Sequence, residues 1–319
     1  MFNILYKLET AHQLFLDKKY REALEVYDEV YKKNKNIRDN LIKEYAICLQ
    51  ERLRYKESIN LSLELLDKNN NDTELMLNYV ICLGKQGKHQ DALREYEKIF
   101  EVDKTFKEQI GYYAYLLERN GLFDKADKYY LIALTSEPDN IWYISHYALY
   151  LHKAKRYQES QMYFQKALQL EPDNTWAIKR YAFLINDMQG KEVAYSYYQS
   201  LIQANPQNSN FLINLAELCI VAGEPSKAIT YLNQVQIIKK PLIMEIINHF
   251  YLAVYFISQK NYLKLKNVLE QIRNTTKEYS SYIHRDFTDL GEYITNHYNL
   301  EQQRKYKELL YILNDGKVI

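Results

Sequence analysis

Residues 141–174 read IWYISHYALYLHKAKRYQESQMYFQKALQLEPDN, and the pattern of this stretch recurs along most of the chain. At helical spacing it holds two amphipathic helices joined by a polar turn around Lys155. The first carries a stripe of Ile144, Tyr147, Ala148 and Leu151; the second shows Ser160, Phe164 and Ala167 and stops at Glu171-Pro172-Asp173-Asn174. Proline cannot continue a helix, and Asp or Asn can cap the next one. One such pair cannot bury both of its faces, so it needs neighbours of its own kind. They are present. Small residues recur at Ala23, Ser58, Ala92, Ala126, Ser160, Ala194 and Ala228, first 35 and then 34 positions apart. An earlier small series runs through Ala11, Ala46, Val80, Ala114, Ala148, Ala182 and Ala216. A bulky series at Tyr27, Tyr96, Tyr130, Phe164, Tyr198 and Leu232 follows the small residues by four, with Ser62 as the exception. Pro138, Pro172 and Pro206 close consecutive units, and Gly87, Gly121 and Gly223 fall in one recurring turn.

This small–small–aromatic–proline registration at a period of 34 resembles the tetratricopeptide repeat (TPR) family over roughly residues 4–275. Short side chains let helices approach closely, and the aromatic fills the space beside them. The resemblance implies an all-α fold, a right-handed α-solenoid superhelix of tandem helix-turn-helix repeats with C-terminal capping helices. Seven repeats are expected within residues 1–240, a degenerate eighth within 241–278, and capping helices within 279–319, all in one continuous solenoid. The capping pair is read at 280–298 and 299–313, from the stripes Ile283, Phe287, Leu290, Ile294 and Tyr306, Leu309, Leu310, Leu313. No such cap precedes the first repeat, so its edge is expected to be open to self-association.

With 42 basic and 41 acidic residues, no global field steers the chain toward nucleic acid or an anionic membrane, and no nucleic-acid partner is expected. The 32 tyrosines read chiefly as aromatic packing positions with hydroxyls at the wet edge. Cys48 and Cys82 sit one repeat apart, a helix-packing distance too long for a disulfide, and read as small buried hydrophobes. Three cysteines so placed, with no leader at the N-terminus, point to a reducing cytoplasmic setting; Lys- and Asn-rich, Gly-poor usage hints at a bacterial source. The most apolar stretch, Leu242 to Ser258, is broken by Glu245, Asn248 and His249 and reads as a repeat helix, not a membrane span. There is no phosphate loop, metalloprotease motif, nucleophile elbow or Cys-x-x-Cys, so neither catalysis nor a cofactor nor a metal is expected.

In the family it resembles, inward positions of each first helix line a concave groove. Carried onto this chain, they give Asn78, Tyr112, Tyr115, Trp142, His146, Trp176, Lys179, Arg180, Phe183 and Asn214 as candidate partner-binding residues. Both tryptophans occupy the same place one repeat apart, the kind of anchor that binding hot spots favour, although either could instead pack on a neighbouring repeat. The clamp of family co-chaperones that holds an acidic C-terminal tail is matched by Lys43 and Asn78 but broken at Ile47, Glu108 and Tyr112. The expected function is therefore a non-enzymatic scaffold or adaptor binding a protein segment or peptide in its groove. Two alternatives stand beside it. One is a sensor of secreted peptide signals of the bacterial regulator type, although the effector domain usual there is missing. The other is a structural subunit that assembles through the solenoid edges.

Overall fold

The computed structural model describes residues 2–313, except 36, 104, 105, 107, 108, 279–284 and 286. It is an all-α solenoid of helical repeats with no strand among the described residues. The first four helix pairs are α1 (Phe2–Leu16) with α2 (Tyr20–Lys33), α3 (Asp39–Glu51) with α4 (Tyr55–Leu66), α5 (Thr73–Lys85) with α6 (His89–Val102), and α7 (Ile110–Arg119) with α8 (Phe123–Ser136). Next come α9 (Ile141–Lys153) and α10 (Tyr157–Leu170), α11 (Thr175–Gln189) and α12 (Lys191–Ala204), and α13 (Ser209–Val221) and α14 (Pro225–Ile237). The chain ends with α15 (Leu242–Ser258) and α16 (Tyr262–Glu278), then α17 (Thr288–His297) and α18 (Leu300–Leu313). The helices cluster into two compact units, residues 1–146 and 147–319.

Seven of the nine described turns inside pairs use one backbone solution; α11–α12 turns instead at Gly190 with φ +89° and ψ +164°. Lys18, Leu53, Gly87, Gly121, Lys155, Gly223 and Lys260 all have φ between +53° and +78°. Glycine adopts this left-handed conformation without strain, which is why three of the turns use it, whereas Leu53 holds it against its own side chain. Several first helices start on a side-chain cap. Asn174 accepts from the Ala177 amide at 3.0 Å and Asp72 from the Leu75 amide at 3.0 Å, so the EPDN turn both ends one helix and caps the next.

The small series is buried without gaps because helices touch there. Two members are serines, and their hydroxyls are not wasted: Ser58 Oγ lies 2.7 Å from the Ala46 carbonyl and Ser160 Oγ 2.7 Å from the Ala148 carbonyl, each on the partner helix of its own pair. The bulky series forms the thickest core, with Tyr96, Tyr130, Phe164, Tyr198 and Leu232 all fully buried. A further aromatic ladder accounts for many of the tyrosines. Tyr113 meets Tyr129, Tyr147 meets Tyr163 and Tyr181 meets Tyr197, with centroids 4.8, 4.8 and 5.5 Å apart and planes 73–83° apart. Such edge-to-face pairs add about 0.5–1.5 kcal/mol each beyond area burial.

In the second unit the last helices close the stack. Leu290 and Ile294 of α17 and Tyr306, Leu309, Ile312 and Leu313 of α18 are buried in its core, and Phe287 packs on Phe250 at 4.3 Å. The capping pair is shorter at its start than expected, since α17 begins at Thr288; Ile283 lies outside the described residues. Leu310 is only half-buried.

All three cysteines are buried free thiols. Burial pushes Cys48 up to about 12 and Cys82 and Cys219 to about 11, so the reactive thiolate is suppressed. In mildly alkaline buffer a thiol reagent such as DTNB should therefore leave the native protein unlabelled and titrate three groups once it is unfolded in guanidinium. Rapid labelling of even one equivalent in the native protein would contradict this packing.

Candidate ligand surface on the first helices

The period of 34 sets Tyr112 level with His146, and Arg180 level with Asn214, along the first helices; Tyr115, Phe183 and Glu217 share a second register position. These equivalent positions have different fates in the two units.

In the first unit, four of the ten expected residues gather into one aromatic cluster. Trp142 and His146, one turn apart on α9, stack with centroids 3.9 Å apart. Tyr115 of α7 meets the His146 ring edge-on at 5.6 Å and the Trp142 ring at 6.2 Å, and stacks on Tyr112 at 5.6 Å. Tyr112 is the buried floor, while Tyr115, Trp142 and His146 are half-buried and keep part of their surface exposed. The floor lies against α5, where Gly84 leaves room: a Cβ there would lie 2.0 Å from the Tyr112 hydroxyl. His89 borders the cluster, 5.9 Å from Tyr115, and burial together with the charge of Arg119 lowers its pKa. Asn78 stands apart from this group. It is 4% exposed, accepts from Ser62 at 2.9 Å with Ser58 at 3.0 Å, and donates to Gln50 at 2.9 Å. Its hydrogen-bonding capacity is taken up inside the chain, and Ser62, the exception in the bulky series, is what makes room for it.

In the second unit Lys179, Arg180, Phe183 and Asn214 are buried in or beside a charged network, and Trp176 is half-buried at its side. Lys179 Nζ donates to Glu217 Oε1 at 2.7 Å, and Tyr251 Oη donates to Glu217 Oε2 at 2.5 Å. Arg285 donates through Nε to Tyr251 Oη at 3.0 Å and through Nη2 to Asn214 Oδ1, and lies 3.5 Å from Glu217. Arg180 pairs with Asp289 of α17 and lies over the Trp176 ring at 5.5 Å. Phe183 is buried, with Lys179 Nζ 5.9 Å from its ring centre. Burial lowers the pKa of Lys179, an effect the Glu217 carboxylate only partly offsets. For Arg285 burial pulls the same way, but Tyr251 and Glu217 outweigh it and the pKa is raised. Lys179, Arg180 and Asn214, read from sequence as grips for a partner, thus hold residues of their own chain.

Arg285, Phe287, Asp289 and Tyr251 were not singled out as ligand-surface residues in the sequence. Phe287 was seen only as part of a packing stripe, and Arg285 and Asp289 lie where the repeat register has faded. The available signal was two adjacent cations, Lys179 and Arg180, facing an interior that offered only Glu217 as a counter-charge from the repeats.

Among the described residues there is no group of three or more His, Cys, Asp or Glu side chains placed to hold a metal ion. No helix among them is long and apolar enough to cross a membrane.

A family model described as tetratricopeptide repeat matches residues 192–240, and a second with that description matches residues 145–174. The model for the coatomer epsilon subunit matches residues 14–131. Among solved structures, a tetratricopeptide repeat protein from Parabacteroides merdae is similar at 16% identity and a TM-score of 0.53, over 86% of this chain and 98% of that one. PilW, a widely conserved type IV pilus biogenesis factor, is similar at 17% identity and a TM-score of 0.54, over 65% of this chain and 96% of that one. The Cut9–Hcn1 hetero-tetramer of the APC/C contains a chain similar at 15% identity and a TM-score of 0.52, over 95% of this chain and 55% of that one. At these identities the likeness concerns the fold alone. No curated protein matches the sequence.

Proposed function

Because the chain belongs to the tetratricopeptide-repeat proteins, we propose that it is a non-enzymatic scaffold that holds a segment of a partner protein on the faces of its first helices. The observation that supports this reading best is the half-open cluster of Tyr115, Trp142 and His146 over the buried Tyr112. The aromatics of the second-helix series are buried outright, as packing requires. These three keep surface available although indole and phenol rings are costly to leave wet. Stacked rings with fixed rotamers offer a large contact area at little entropic cost, which is how anchor residues work at interfaces. The cluster offers ring faces and a few polar edges, suited to an extended or helical segment with apolar side chains.

The test is selection of peptides from a random display library on the full-length protein, followed by affinity measurement against wild type, Trp142→Ala and His146→Ala. Both variants must first melt as wild type does. The expected result is a recurrent apolar motif whose affinity falls about tenfold or more with Trp142→Ala, in line with the loss of one hot-spot side chain. A library that yields nothing, or peptides indifferent to both substitutions, would refute the proposal.

A further inference from the structure

The second unit carries its own indication of what binds there. Arg285, Phe287 and Asp289 are alternate residues, and each meets a different part of the first-helix face. The guanidinium of Arg285 is received by Asn214 and Tyr251, with its centre 5.2 Å from the Tyr251 ring centroid. The ring of Phe287 is received by Phe250 at 4.3 Å, and the carboxylate of Asp289 by Arg180. Arg180 and Asn214 hold the register position that His146 and Tyr112 hold in the first unit's cluster. We propose that this face of the second unit is a binding site for a segment of a partner protein of the form Arg-x-Phe-x-Asp, and that Arg285, Phe287 and Asp289 occupy it in cis. The inference rests on the reading of the first-helix faces as segment-holding surfaces, and it names the chemistry that one of them takes.

Two features favour a receptor site over a simple structural cap. Part of the receiving side is held by residues other than its occupant. Glu217 is held by Lys179 at 2.7 Å and Tyr251 at 2.5 Å, and Arg180 is braced on Trp176, so withdrawal of Arg285, Phe287 and Asp289 leaves these acceptors and one guanidinium donor in place. The occupant's polar hold is also the exchangeable kind: the charge contacts of Arg285 and Asp289 repay little more than their desolvation cost, so Phe287 on Phe250 and, further along α17, Leu290 and Ile294 supply the apolar part of the hold. The C-terminal helix has such contacts of its own: Leu309, Ile312 and Leu313 are buried, and Gln302 Nε2 donates to the Ile257 carbonyl at 2.8 Å. An incoming segment that brings equivalent charged and apolar side chains can therefore displace Arg285, Phe287 and Asp289 together with α17 while α18 stays docked. The cis segment lowers the apparent affinity for any competitor by the fraction of time it is seated.

The probe is a fluorescently labelled synthetic peptide of sequence RDFTDLGEYITNH, the chain's own residues 285–297. It is titrated by anisotropy into full-length wild type and full-length Arg285→Ala/Asp289→Ala. The peptide should bind the double variant at least tenfold more tightly than wild type, and replacing its arginine or its aspartate by alanine should weaken binding to the variant at least tenfold. No binding to the variant, equal binding to both proteins, or indifference to the peptide's arginine would overturn the proposal. Should the double variant fail to melt cooperatively, Arg285→Gln, which keeps a hydrogen-bond donor, takes its place with the same expected order. Light scattering on the peptide-free wild type, whose copies keep Arg285 and Asp289, distinguishes the source of the segment: a monomer agrees with a foreign partner, whereas a dimer would assign the site to the C-terminal segment of a second copy and overturn the foreign-partner reading. Failure of this test leaves the Trp142-dependent selection untouched, so the two readings fall separately.

Discussion

Replacement of Glu217 by alanine should lower the unfolding free energy of the second unit by about 3–5 kcal/mol, the usual cost of removing one partner from a buried ion pair. Glu217 has no exposed surface and receives Lys179, the Tyr251 hydroxyl and, at 3.5 Å, Arg285. Without it, Lys179 and Arg285 stay buried with no carboxylate between them, and Asp289 is already engaged by Arg180. The charge is what matters. Glu217→Gln keeps an acceptor for Tyr251 yet should recover only a minor part of the loss. Lys179→Met/Glu217→Leu, which removes the Lys179–Glu217 pair and roughly keeps volume, should recover only part of it, because apolar packing replaces a pair that barely repaid its desolvation while Arg285 still lacks a carboxylate and the Tyr251 hydroxyl its acceptor. Urea unfolding in a Trp142→Phe background reads the second unit through Trp176 alone, since these are the only two tryptophans. A loss below about 1 kcal/mol would show that water reaches the network and that its charges are not buried in solution.

The network also shows where sequence reasoning runs out. Periodicity exposes whatever must repeat. Small residues recur because helix contact requires them in every pair, and the same constraint made the turn glycines and the bulky series legible. What happens once, at long range, leaves no periodic trace. The partner of Arg180 is Asp289, 109 residues further on and beyond the last clear repeat, so an inward arginine read as a grip for another molecule. Asn78 failed for a related reason. Its acceptor duty toward Ser58 and Ser62 was visible only as an oddity, a serine in an otherwise bulky series, and nothing in the pattern links residue 62 to residue 78. The aromatic cluster was the more legible part. Tyr112, Tyr115, Trp142 and His146 come from adjacent first helices of equivalent register, so the repeat that predicts the fold also predicts their meeting. A glycine inside a helix that occurs in one repeat alone, such as Gly84 or Gly111, leaves no periodic trace either.

Gly111 is such a glycine, and its replacement by alanine should destabilise the first unit by about 1–2 kcal/mol. Helix propensity alone argues the other way, since alanine is favoured over glycine inside a helix by about 1 kcal/mol. Space decides against it. A Cβ at Gly111 would lie 2.4 and 2.5 Å from two ring carbons of Tyr143 and 3.0 Å from a third. Those atoms belong to a rigid ring, itself 3% exposed and packed with Ile110 and Ala133, so there is no flexible tip to swing aside. Overpacking of this kind costs about 1–3 kcal/mol, and the propensity gain offsets only part of it. The strain should reach the ligand surface as well, since Tyr143 adjoins Trp142, their rings 5.9 Å apart, and any shift of the start of α9 moves the stacked Trp142–His146 pair. Peptides selected on wild type should therefore bind Gly111→Ala more weakly, although residue 111 presents no side chain to them. Trimming the ring in the same molecule separates strain from lost propensity: Gly111→Ala/Tyr143→Ala should cost at least about 1 kcal/mol less than the sum of the two single changes, the coupling expected of residues in direct contact. Strict additivity, or a Gly111→Ala protein more stable than wild type, would mean that the ring has slack and that close approach is not why the helix carries a glycine there.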